Sequence, residues 1–117
     1  MSFIQKESNI MIGIGKWEAS VSAMMMNMSG IVEIHDNGGK YEFIYEPPER
    51  FKNVQIKYHS IEEVGTDTLV VKGEASVLPG KIIEIHATFN DNKLTGYIKA
   101  PIMGGMKIKI KDGHRIG

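Results

Sequence analysis

Eight methionines stand in this 117-residue chain, and four of them fall within Met24-Met25-Met26-Asn27-Met28. Thioethers suit Cu(I), so the cluster raises soft-metal chemistry first. Consecutive side chains of a strand point to opposite faces, however, so only alternate methionines converge. No cysteine or histidine stands beside them. No metal site is expected there. The histidines are His35, His59, His86 and His114. The first three fall on alternate strands of the arrangement derived below, about 9–10 Å apart at twice the strand spacing. Metal ligands must approach one ion to about 2.1 Å, so these rings cannot share one. All four read as surface histidines on polar faces.

Catalytic groups are no better placed. Glu42 and Glu46 face solvent, and Glu62-Glu63 reads as a loop pair. No serine sits in a Gly-x-Ser-x-Gly elbow, and no glycine-rich loop links a strand to a helix for phosphate. The expectation is no catalytic residue, no metal and no cofactor. Fourteen Lys+Arg balance fourteen Asp+Glu, and zero net charge removes the main electrostatic reason for binding nucleic acid or an anionic membrane. Absence of cysteine excludes disulfides and thiolate chemistry. No stretch reaches the roughly 18 apolar residues of a membrane helix. The amino terminus is interrupted by Lys6 and Glu7, unlike a secretory signal. A cytoplasmic protein is expected, with no nucleic-acid partner and no membrane insertion.

The elements that position these residues follow from an apolar–polar alternation with period two, the signature of half-buried strands. It runs through Trp17–Met25, about Gly30–His35, Tyr41–Glu46, Val54–Ser60, Leu69–Val77, Lys81–Phe89, Lys93–Ala100 and Met106–Lys111. Tyr41, Phe43 and Tyr45 share one face of the third run, and Pro47-Pro48 ends it because proline cannot donate to a ladder. Asp36-Asn37-Gly38-Gly39 reads as a hairpin turn. Links this short make neighbours antiparallel. Eight strands, each with one apolar face, must close into a barrel or fold into a sandwich. The length fits one domain over 1–117: a 1–14 segment, helix or extra strand, over one end, and the sheet over 15–116. The Lys107, Lys109, Lys111 stripe is expected outside, opposite Glu18.

Gly15-Lys16-Trp17 opens the first strand, and Arg115 follows the last. This resembles the calycin superfamily (lipocalins, fatty-acid-binding proteins, avidins), whose barrels begin Gly-x-Trp and lay a basic side chain from the final strand across the tryptophan. The resemblance covers 15–116 in strand count and order. It implies an all-β fold, an eight-stranded antiparallel up-and-down β-barrel, with Gly15, Trp17 and Arg115 closing one end. A guanidinium can stack on an indole while donating to nearby carbonyls.

On that topology Met24, Met25, Met26, Met28, Met103 and Met106 converge at the opposite end, with the loop at 47–53 as a lid. Flexible, polarisable methionines line adaptable surfaces. Small residues at Ala19, Ala23, Gly73, Ala75, Ala87 and Gly96 leave internal space, and tyrosine hydroxyls orient a polar group. The expected function is non-catalytic binding of a small hydrophobic or amphipathic molecule by Met25, Met28, Tyr41, Phe43, Tyr45, Tyr58, Met103 and Met106. The alternative is a filled barrel whose Met-rich end mediates homo-oligomerisation or docking to a protein partner.

Overall fold

The computed structural model describes residues 11–23, 26–47, 53–76, 79–101 and 107–117. Eight antiparallel strands make up most of it: β1 (Gly15–Ala23), β2 (Met26–Asn37), β3 (Lys40–Glu46), β4 (Ile56–Val64), β5 (Thr68–Ala75), β6 (Ile83–Asn90), β7 (Lys93–Lys99) and β8 (Lys107–Arg115). Each corresponds to one of the alternating runs, with shifted ends. β2 takes in Met26 and Met28 and continues to Asn37, while β8 continues to Arg115. Backbone pairing persists wherever a neighbour offers partners, so polar pairs such as Lys16–Glu33 and Asp36–Tyr41 lengthen the ladders.

The strands form one sheet in the order β3-β2-β1-β8-β7-β6-β5-β4. First and last strands pair in its middle, with Trp17 opposite Arg115. The meander therefore curls until its edges, β3 and β4, face each other. They do not pair. Side chains span the seam instead: the Tyr41 hydroxyl donates to the Glu63 carboxylate, and the Phe43 and Tyr58 rings lie 5.2 Å apart between centroids. The fold is an all-β, nearly closed barrel, and the fully closed ring expected from the meander is corrected at this one seam. The 47–55 connection is too long to impose a hairpin register, and Pro47 and Pro48 contribute no N–H.

Trp17, Ile34, Leu69, Val71, Leu94 and Ile110 belong to a single buried cluster inside the barrel, as their alternation requires. Two irregularities set what faces what. Gly96 has φ +146°, and a Cβ there would overlap the His86 carbonyl oxygen, so only glycine lets β7 run this close to β6, while the β7–β8 register shifts between Leu94 and Tyr97. In β1 the register against β8 shifts between Glu18 and Ser20. Glu18 consequently meets His114 at 3.3 Å, and Lys111 lies opposite Ser20. The expected lysine–Glu18 pair across β1 and β8 is thus replaced by a histidine. Of the 1–14 segment, residues 1–10 lie outside the described residues. Residues 11–14 form a turn, neither helix nor strand. Ile12 is buried there, and its N–H donates to the Tyr41 hydroxyl at 2.7 Å.

Candidate functional site

The barrel has a floor built from the start of β1 and the end of β8. Trp17 is fully buried, its indole N–H donates to the Gly13 carbonyl at 2.8 Å, and the Phe89 ring packs 4.8 Å away. The Arg115 guanidinium lies 4.4 Å from the indole centroid and donates to the Ile14 carbonyl at 2.9 Å. Gly15 shows why the third residue of this set is glycine. Its φ is +139°, and a Cβ would occupy the space of the guanidinium itself. Gly15, Trp17 and Arg115 are therefore brought together. Arg115→Ala loses the stacking and leaves the Ile14 carbonyl without this donor. It is expected to cost about 1–2 kcal/mol in urea unfolding. Arg115→Lys keeps the charge but not the planar fork, and an intermediate loss is expected.

Tyr41 stands at the floor end of the seam, not in the cavity wall where the sequence placed it. It accepts from Ile12 N–H and donates to Glu63, tying β3, β4 and the 11–14 turn together. Burial, then the bond to Glu63, pushes its pKa up to about 12. A phenol held neutral in the folded state adds stability below its unfolded pKa and loses it as pH rises from 10.0 through about 12. Burial also raises Tyr45 and Tyr58, which act in the same direction. The urea midpoint should fall across this window, and less steeply in Tyr41→Phe.

Above the floor lies a cavity of about 450 Å³. Its lining runs from Trp17, Leu69 and Phe89 to Met28, Pro47 and Val54 at the far end. Phe43, Tyr45 and Tyr58 line its seam side. The space exists because Ala19, Gly73, Ala75 and Ala87 line the wall where larger residues would meet. Gly96 does not, since it serves the β6–β7 approach. Among the described residues the lining contains no lysine, arginine or histidine, and Glu74 is its one carboxylate. That carboxylate faces other partners: the Gly80 N–H and His59, each at 2.8 Å, hold it below the usual carboxylate range. The interior is apolar, with neutral tyrosine hydroxyls at its edge.

Of the eight ligand-binding residues expected from sequence, Met28, Phe43, Tyr45 and Tyr58 line this cavity. Tyr41 does not, and Met25, Met103 and Met106 lie outside the described residues, as does most of the 47–53 loop. The histidines sit on the outer surface, each beside a carboxylate: His35–Glu33 at 3.1 Å, His59–Glu74 at 2.8 Å, His86–Glu84 at 2.5 Å, and His114–Glu18. Among the described residues no group of three His, Cys, Asp or Glu side chains is placed to hold a metal ion. Glu63 was missed. It reads as a loop residue, but a register shift between Tyr58 and Ser60 rephases β4 and brings it to the seam. No protein-family model matches the chain, and neither the curated proteins nor the solved structures contain a match.

Proposed function

We propose that the protein is a non-catalytic, calycin-like binding barrel whose ligand is a small apolar or amphipathic molecule held in the central cavity. The observation that carries this reading is the 450 Å³ of space above Trp17. Cavities of about 300–1,000 Å³ are the usual size for small-molecule sites. Transfer of an apolar ligand from water into such a lining is favourable by about 25 cal/mol for each Å² buried. A cation is absent from the described lining, so a buried carboxylate or phosphate would lose its hydration without return. Tyr45 and Tyr58, partly exposed, carry hydroxyls that suit a hydroxyl or carbonyl at the ligand's polar end. The Gly15–Trp17–Arg115 floor supports the calycin-like reading.

Native mass spectrometry of protein isolated gently from cells tests the proposal. Part of the population should carry a single small organic molecule that is lost on solvent extraction. Bare protein throughout, together with failure to take up a neutral apolar dye, would contradict it.

A further inference from the structure

Zero net charge conceals a segregation along the barrel axis. The floor end carries Asp36, Glu62, Glu63, Asp67, Asp91 and Asp112 against Lys16, Lys40, Lys93 and Arg115. At the opposite rim, one row of opposed residues crosses four strands: Lys72 faces Glu84, Glu84 faces Lys99, and Lys99 faces Lys107. Lys109 stands in the next row, opposite Tyr97. All four lysines are exposed. The only acid in the row is already engaged, since Glu84 bonds His86 at 2.5 Å. Lys107 spreads over the Tyr97 ring, 4.7 Å from its centroid. Like charges directly opposite each other on a sheet destabilise it, so the Lys99–Lys107 pair carries a local cost, eased by Tyr97 under Lys107 and by Glu84 opposite Lys99. A local cost of this kind points to function.

We infer that this lysine-bearing rim is a docking face for an anionic lipid bilayer, reached at the surface and without insertion. The occupant follows from charge and from position. Lys99 ends β7 and Lys107 begins β8, both at the end of the barrel away from Trp17, where the cavity reaches Met28 and Val54. The inference rests on the apolar-ligand reading, because a molecule suited to that cavity partitions into bilayers and must be collected from or returned to one. Ile82, 43% exposed, extends an apolar side chain beside Lys81 at the same end. Lysines near an anionic leaflet each add attraction that fades within a Debye length, about 8 Å at physiological salt. The floor end, where acids outnumber lysines and arginine, is attracted less by the same surface, so the field also favours a rim-first approach.

Co-sedimentation with vesicles tests this. One set is phosphatidylcholine alone, the other phosphatidylcholine and phosphatidylglycerol at about two to one. Binding is expected only to the second, weakening as salt is raised. The combined variant Lys99→Gln, Lys107→Gln, Lys109→Gln should reduce it at least tenfold or so, whereas Lys40→Gln with Lys93→Gln at the floor should not. Uptake of a neutral apolar dye in solution should be unchanged in both. Equal binding to both vesicle types, no loss in the rim variant, or retention on single-stranded DNA without vesicle binding would overturn the inference. Dye uptake with no vesicle binding overturns the docking face alone. Vesicle binding with no dye uptake supports the docking face and overturns the cavity reading.

Discussion

Trp17→Ala is expected to lower stability by about 3–5 kcal/mol, the range for truncating a buried aromatic that leaves a cavity behind. Trp17 is fully buried and closes the floor of a barrel that is already hollow above it. Its loss joins the new void to the old one, so the neighbours have little material with which to collapse. Three contacts go at once: the ring against Phe89, the indole N–H to Gly13, and the surface on which Arg115 lies. Set against a typical total of about 5–15 kcal/mol, this is enough to leave the domain marginal. Urea denaturation followed by far-ultraviolet circular dichroism reads it, since the substitution removes the chain's one tryptophan. Trp17→Phe restores most of the volume but not the donor to Gly13, and a loss of about 1–2 kcal/mol is expected. A loss below about 1 kcal/mol for Trp17→Ala would show that the floor is not where the barrel is held together.

Filling the cavity is expected to remove binding while sparing the fold. Ala19 and Ala75 line the space at different heights, Ala19 near the floor and Ala75 at the far end of β5. Ala19→Phe with Ala75→Phe projects two rings into it. In a well-packed core such additions cost about 1–3 kcal/mol through strain. Here the added groups enter space that is already vacant, so the thermal midpoint should move by only a few degrees or so. Affinity for a neutral apolar probe should fall about 10–100-fold, as the ligand loses contact area equal to one or two buried side chains. A folded variant that binds as well as the parent would place the ligand elsewhere.

The barrel was readable because alternation survives in nearly every strand: Val32/Ile34, Phe43/Tyr45, Leu69/Val71 and Ile83/Ile85 each put two residues on the inner face. The floor was readable for a different reason. Arg115 is distant in sequence from Gly15 and Trp17, and the resemblance of Gly-x-Trp plus a late basic residue to a known barrel opening is what joined them. What escaped reading depends on register and packing. An extra residue in β8 between Lys111 and His114 sets Lys111 opposite Ser20 and leaves His114 opposite Glu18. Another in β4 brings Glu63 to Tyr41 across the seam. The first coincides with Asp112-Gly113, where Asp112 takes φ +52° inside an otherwise alternating run, and the second has no local signature because it arises from how two strands fit. The absence of β3–β4 pairing is likewise a property of the whole sheet, and Tyr41 lines that seam although its neighbours Phe43 and Tyr45 line the cavity. Cavity volume could not be read from the list of inward residues, which holds bulky aromatics and small residues together. The lysine row across β5–β8 was also hidden, since a net charge of zero says nothing of where the charges lie.

The central claim, that a small apolar molecule occupies the space above Trp17, is most directly tested by energy transfer from that residue. Trp17 is the chain's one tryptophan and lines the cavity floor. Titration with the neutral dye N-phenyl-1-naphthylamine should quench Trp17 emission, raise dye emission under tryptophan excitation, and saturate at one dye per chain. The cavity-filled Ala19→Phe, Ala75→Phe variant should show neither change at the same concentrations. Unquenched Trp17 emission, or transfer that persists undiminished in the folded, cavity-filled variant, would contradict the account.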